Sequence, residues 1–179
     1  MALSSIDETD LLMPLYAGVS EARRFATFLE RLRRRTQSIY AGLIFRQGDL
    51  PMHEATEMFA GIDLRAETRR ADLQDIFSFD RIPYDQLRPG RTYAISEFTD
   101  HDEAFKALRK TYAARVGIVD ERIVRITVGD GISAWLLIAA SHECTARDSA
   151  LLSALAPHIA IALGNFLTAE RQRIRTAVS

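Results

Sequence analysis

The sequence predicts an α+β fold in which helices cover a central antiparallel sheet, and three observations carry the prediction. Two β-rich runs, "ERIVRITV" and "ISAWLLIAA", flank Gly129-Asp130-Gly131, the strongest hairpin signal in the chain. The run from Ile39 to Phe45, "IYAGLIF", and the second arm of the hairpin are apolar at both alternating positions, as strands in the middle of a sheet are when both faces are covered. The elements follow the order helix, two strands, helix, strand, helix, hairpin, helix. Strict alternation of strand and helix, the mark of a doubly wound parallel sheet, is absent.

Each element has its own grounds. Leu11, Leu15, Val19, Ala22, Phe25, Phe28, Leu29 and Leu32 recur at helical steps and predict one helix over 10–36. Asp10 stands at its N-cap, and Gly18 predicts a break or kink in its first part. Ile39 to Phe45 is the first strand and Met52 to Ala60 the second. Asp63 to Phe77 reads as a helix capped by Asp63, with Leu64, Ala71, Leu73 and Ile76 as an uneven apolar stripe. Ser78 to Phe98 is a long connection with a Pro89-Gly90 turn and a short strand around Arg91 to Ser96. Its Phe79, Ile82, Tyr84 and Leu87 can bury surface, which argues against disorder. Asp100 or Asp102 caps a helix that reaches Arg115. In the hairpin, Val124, Ile126 and Val128 point inward and Arg125 and Thr127 outward. Thr145 and Asp148 form a capping box for a terminal helix over 145–179, apolar at Leu151, Leu152, Leu155, Ile159, Ala162, Leu163 and Phe166. Pro157 removes one backbone donor inside it and meets the carbonyl of Ser153, which predicts a bend there. Beyond the bend, Ile159, Leu163 and Phe166 face a partner helix in a homodimer.

Composition bounds the function. The 179 residues are 47% hydrophobic and 26% charged, enough for a single domain over 1–179 with a substantial core. A net charge of −1 gives the domain no electrostatic footprint for nucleic acid. The single cysteine, Cys144, excludes an intrachain disulfide and fits a reducing cytoplasm. The N-terminus "MALSSIDETD" lacks the features of a signal peptide, and the apolar runs fall short of the ~18 residues a membrane span needs. A cytoplasmic protein with no membrane partner is expected.

No nucleophile elbow, phosphate-binding glycine loop or HExxH occurs, so no enzymatic activity is expected. His142, Glu143 and Cys144 are consecutive in "SHECT", which reads as a polar loop and not as metal-ligand spacing; no metal or cofactor is expected. "RLRRR" over 31–35 reads as a solvated helix end. The aromatic side chains are more informative. Tyr40, Phe59, Phe79, Tyr84, Tyr93 and Trp135 fall on strands and on the long connection, and are the candidates for lining a ligand pocket, since such pockets are apolar with a few orienting polar groups. The Ser78 to Phe98 segment is the candidate lid. Tyr84 or Tyr93 could reach a guest's carbonyl, and Arg81, Arg88 or Arg91 could pair an acid.

The element order, together with "LLSALAPHIAIALGNF", resembles a GAF-like sensor domain, a relative of the PAS fold. More narrowly, "YAGLIF", "IPYDQLRPGRTYAISEF" and "LAPHIAIAL" are similar to the N-terminal sensor half of bacterial LuxR-type transcription regulators, over about residues 10 to 175. The resemblance implies a sheet with the N- and C-terminal helices packed on one face and a pocket on the other, a homodimer, and a small organic effector. It also implies that the terminal helix connects to a DNA-binding helix-turn-helix. This chain carries no second helical domain, so it is expected to be either an excised sensor or a stand-alone module, touching DNA only through a domain it lacks. Two other readings stay open: a ligand-free dimerisation module and a small cytoplasmic enzyme. A cavity on the order of a few hundred Å³ separates the sensor from the module.

Overall fold

The computed structural model describes residues 2–70 and 82–179. Its five strands, β1 (Tyr40–Gln47), β2 (Thr56–Gly61), β3 (Thr92–Ala94), β4 (Asp120–Gly129) and β5 (Ile132–Ala140), form one sheet in the order β2-β1-β5-β4-β3. Every pairing is antiparallel. β5 lies at the centre, as its two-sided apolarity predicts. The β4–β5 turn holds Gly129, Asp130 and Gly131 all at positive φ, a conformation glycine adopts freely and aspartate tolerates. The second strand is shorter than expected: Met52–Glu54 form a helical turn, and β2 starts at Thr56.

The pleat sorts residues to two faces. Ala134, Leu136 and Ile138 of β5, Leu43 and Phe45 of β1, and Val124 and Ile126 of β4 enter one large core. Trp135 and Ala139 of β5, Tyr40 of β1 and Ile123 of β4 point to the other side, into two smaller clusters. The register lays the second face out in rows: Glu57, Ile44, Trp135 and Arg125 in one, Phe59, Gly42, Leu137, Ile123 and Tyr93 in the next, then Tyr40, Ala139 and Glu121.

The N-terminal region covers the first face, but as two helices and not one. Helix α1 runs through Ser5–Asp7, a wider π turn over Glu8–Leu12, and Met13–Ala17; α2 is Ala26–Arg35. The break falls at Gly18, as predicted, and is completed by Phe25 in the left-handed region at φ 59°. A Cβ on Gly18 would sit 2.7 Å from the Phe25 ring, so the glycine is what lets that fully buried ring fold back. Asp10 is not the cap. Ser4 Oγ accepts from the Asp7 amide at 3.2 Å, while the Asp7 carboxylate accepts from Ser4 N at 2.9 Å. Asp10 instead accepts from Arg35 Nη2 at 2.7 Å.

The remaining helices are α3 (Leu64–Arg70), α4 (Ser96–Thr99), α5 (Glu103–Val116) and α6 (Ala146–Val178). Asp63 caps α3 by accepting from Ala66 N at 2.9 Å; the expected continuation through Ala71, Leu73 and Ile76 to Phe77 lies outside the described residues. Asp102, and not Asp100, caps α5, accepting from Phe105 N at 3.0 Å. The box at Thr145 and Asp148 starts α6. That helix spans 33 residues and continues through Pro157. By length and mean hydropathy it could cross a membrane, yet its apolar side is spent on the fold. Leu155, Ile159 and Leu163 have no exposed surface, and burial of this kind stabilises by ~1.5–3 kcal/mol per side chain. The Phe166 ring meets Phe25 of the N-terminal layer at 5.9 Å. The Tyr16 hydroxyl hydrogen-bonds His158 Nδ1 at 2.9 Å.

Candidate ligand-binding site

Among the described residues, side chains leave part of the second face of the sheet unfilled. A cavity of about 100 Å³ lies between the sheet, α3, α5 and the chain entering β3. Its floor is Tyr40, Ile44, Ile123 and Leu137; its walls are Leu64 and Thr68 of α3, Tyr112 of α5, and Ile82, Tyr84 and Ile95. Gly42 permits this floor. A Cβ there would meet the Tyr40 hydroxyl at 1.9 Å and the ring at 2.4 Å, so the tyrosine lies flat across the strand position that carries no side chain.

Two ion pairs stand at the polar side of the cavity. Arg65 of α3 reaches Glu57 of β2, Nε to Oε2, at 2.7 Å, and also donates to the Ala55 carbonyl at 2.8 Å. Arg109 of α5 pairs with Glu121 of β4. Glu57 is the unusual member. Only 9% of its side chain is exposed, and its second oxygen, Oε1, is buried without a hydrogen bond of good geometry among the described residues. The Tyr40 hydroxyl acts on the same carboxyl. Burial raises the Glu57 carboxyl above its ordinary range, against the pull of Arg65. Burial likewise holds the Tyr40 phenol well above its usual value and pushes Tyr112 up to about 12, so both rings stay neutral donors.

The chain before β3 is strapped to the sheet. Trp135 Nε1 donates to the Tyr84 carbonyl at 3.0 Å, and the two rings meet edge to face at 5.7 Å. Arg46, stacked over Trp135 at 5.3 Å, reaches the Asp85 carboxylate. Arg125 donates to the Asp85 carbonyl at 2.6 Å and the Leu87 carbonyl at 3.3 Å. Arg125 points to the opposite face from Val124 and Ile126, as the alternation predicts, and this segment covers it there. Val124 and Ile126 point inward as expected.

Of the aromatic candidates, Tyr40 and Tyr84 line the cavity. Trp135 is fully buried and acts from beneath, by holding Tyr84. Phe59 stacks on Tyr40 with ring centroids 6.1 Å apart but does not reach the cavity wall. Tyr93 lies on the same face but not in the cavity lining: its ring packs on Phe98 and its hydroxyl accepts from Arg88 N at 3.2 Å. Phe79 and Arg81 lie outside the described residues. Arg91 stacks on Tyr93 at 4.4 Å, so the cavity arginines are Arg65 and Arg109. Nothing in the sequence spacing marks Glu57, Arg65, Arg109, Tyr112 and Glu121, which come from four separate elements.

The residues expected at a dimer contact lie inside the chain's own core. Ile159 and Leu163 have no exposed surface and Phe166 is 9% exposed, all within the chain's own core. That stripe packs against the chain's own N-terminal helices and sheet. The apolar residues that α6 leaves exposed are Ile161, Ile174 and Val178. In "SHECT", burial and the neighbouring Asp120 push the Cys144 thiol up to about 11, which keeps it protonated and unreactive near neutrality. His142 contacts the carbonyls of Glu143 and Gln37 at 3.0 and 3.2 Å.

No family model and no curated protein matches the chain. Solved structures do match. The LBD domain of VqsR from Pseudomonas aeruginosa aligns with a TM-score of 0.62 at 15% identity, over 92% of this chain and 98% of that one. The N-acylhomoserine-lactone-dependent LuxR-family transcription factor CepR2 from Burkholderia cenocepacia gives 0.59 at 16% identity, over 92% and 96%. GAF3 of Slr1393 from Synechocystis sp. PCC6803 gives 0.52 at 13% identity, over 89% and 98%. With helices on both faces of an antiparallel sheet and a cavity on the one away from the N- and C-terminal helices, the chain has the GAF-like α+β fold of LuxR-type sensor domains.

Proposed function

We propose that this chain is the ligand-sensing domain of a cytoplasmic LuxR-type regulator, which holds a small organic effector in the cavity over Tyr40. The observation that carries this reading is the cavity itself: apolar walls around a buried carboxyl, one oxygen of which has no hydrogen bond of good geometry among the described residues. A core selected only for stability would close that space, because voids and unsatisfied polar groups both cost stability. The likeness to a regulator described as N-acylhomoserine-lactone dependent supports a small-molecule effector. The size is informative. An engineered apolar cavity of ~150 Å³ holds benzene, so about 100 Å³ suits a single small ring unless the walls move.

A route from cavity to terminal helix is available. Glu121 and Ile123 of β4 line the cavity, and Arg122 between them donates to Ser149 Oγ of α6 at 3.2 Å. Thr92 of β3 also bonds α6, with its Oγ1 at 2.9 Å from the Ser149 carbonyl and 2.8 Å from Ser153 Oγ. A guest that shifts β4 shifts the start of α6, and through it a dimer partner or an attached DNA-binding output. A preference of ~1–3 kcal/mol for one arrangement suffices for useful coupling.

Native mass spectrometry of freshly purified protein tests the reading. A mass excess over the polypeptide that disappears on denaturation supports it. A chain that holds no guest, and whose stability no small-molecule library raises, overturns it. The small cavity volume favours one competing reading, a dimerisation module without ligand, and the same measurement separates the two.

A further inference from the structure

We propose that the cavity selects a compact, neutral ring bearing an N–H donor, which docks on Glu57 Oε1. This deepens the sensing function proposed above and rests on it.

Three observations point to that chemistry. The first is the need for a donor. Glu57 is nine-tenths buried, lines the cavity, and has one oxygen bound to Arg65 while the other, Oε1, meets no hydrogen bond of good geometry among the described residues, although the Tyr40 hydroxyl stands close enough to act on the carboxyl. A buried acceptor left alone costs stability that an incoming N–H recovers. The second is charge. Glu57 with Arg65 and Glu121 with Arg109 are already paired, so the four formal charges around the cavity sum to zero. An ammonium guest would be desolvated with no carboxylate of its own, whereas a neutral donor leaves the balance intact. The third is shape. About 100 Å³ bounded by Ile44, Leu137, Tyr40 and Tyr112 takes a flat ring, with apolar carbon against the leucine and isoleucine side and the donor toward Glu57.

Pyrrole and furan test the inference, because the two rings have nearly the same size and differ in an N–H against an oxygen. Chemical shifts of the isotopically labelled full chain report binding and place it at Tyr40, Ile44 and Leu137. The expected result is that pyrrole binds at least tenfold more tightly than furan to the wild type. In Glu57→Leu the ratio falls to about one, because the acceptor is gone while the apolar walls remain. Glu57→Gln guards against misfolding in that variant. Its amide oxygen is drawn to Arg65, its NH₂ then faces the guest, and the pyrrole preference is lost in a chain that keeps a polar side chain there. Equal affinity of the wild type for both probes at the cavity overturns donor selection and leaves the sensing function standing. Absence of any shift with either probe counts against both.

Discussion

The two faces of the sheet are built on opposite principles. The face under α1, α2 and α6 is closed by leucine, isoleucine and phenylalanine side chains, most with no exposed surface. The face under α3 and α5 is divided into two smaller clusters around a cavity edged by two ion pairs and a carboxyl oxygen that meets no hydrogen bond of good geometry among the described residues. The alternation of a single strand serves both. Leu136 of β5 enters the closed core, and Leu137, its neighbour, lines the cavity. Local rules of packing and polar satisfaction are obeyed on one side and relaxed on the other, and relaxation of this kind is expected at functional or strained sites.

The largest expected effect lies on the closed face. Ile159→Ala or Leu163→Ala removes buried methyl groups from a core with no room to relax and should cost ~2–5 kcal/mol of stability, read by urea unfolding. Because both side chains are buried within one protomer, the loss should be the same at every protein concentration. A loss that grows on dilution would return these residues to a dimer contact and break the comparison. A smaller contrast tests the two sides of β5 directly. Leu136→Phe overpacks the closed core and should cost ~1–3 kcal/mol. Leu137→Phe grows into the cavity, should change stability by less than ~1 kcal/mol, and should abolish guest binding. Equal costs for the pair would mean that the cavity is no roomier than the core. Gly42→Ala belongs between these. Its new methyl group meets the Tyr40 hydroxyl, so the ring must leave the cavity floor; an overpacking cost of ~1–3 kcal/mol should come with an altered tyrosine fluorescence and lost binding.

Much of the closed face is legible in the sequence, and little of the open one is. Periodicity marks β1, β5 and α6 because burial requires it, and the capping box at Thr145 reads directly as the start of α6. The same signature at Ser4 and Asp7 is masked by the other acidic residues of "IDETD", which is why Asp10 looks like the cap. The apolar stripe runs from Leu11 to Leu32 without a visible gap, so two helices read as one although Gly18 signals the break. Ile159, Leu163 and Phe166 show the limit of such patterns: periodicity reports that a stripe is buried, not whether its partner is the same chain or another. On the open face only Tyr40 and Tyr84 are found by residue type. Glu57 and Arg65 meet because β2 and α3 fold side by side, and Arg109 and Glu121 because α5 crosses β4. Isolated charged residues on four elements otherwise read as solvated surface.

The smallest expected effect is a slope, not an offset, and it tests whether the open face carries the strain assigned to it. The groups acting on Glu57 are Arg65 of α3, Asp63 before it and Tyr40 of β1, and burial outweighs the attraction of Arg65, so the carboxyl lies above its usual 4.5 in the folded chain. The folded state therefore holds this proton more tightly than the unfolded state does. The resulting stability is fully present below the unfolded pKa and is lost as pH rises through the folded one. Asp7 and Glu30 act in the opposite direction. Their pKa values are lowered, Asp7 by Ser4 and Arg35, and Glu30 to about 2 by Arg33 and Arg34, so both stabilise above the carboxylate range and lose that effect in acid. Those two groups are the same in wild type and Glu57→Gln, and they cancel when the two unfolding curves are subtracted. The difference in stability, wild type minus Glu57→Gln, should then fall as pH rises from about 4 toward neutrality. A flat difference would place Glu57 in water, and a rising one would make the Arg65 pair the dominant influence. Either result removes the unsatisfied carboxyl from the open face, and with it the physical distinction between the two sides of the sheet.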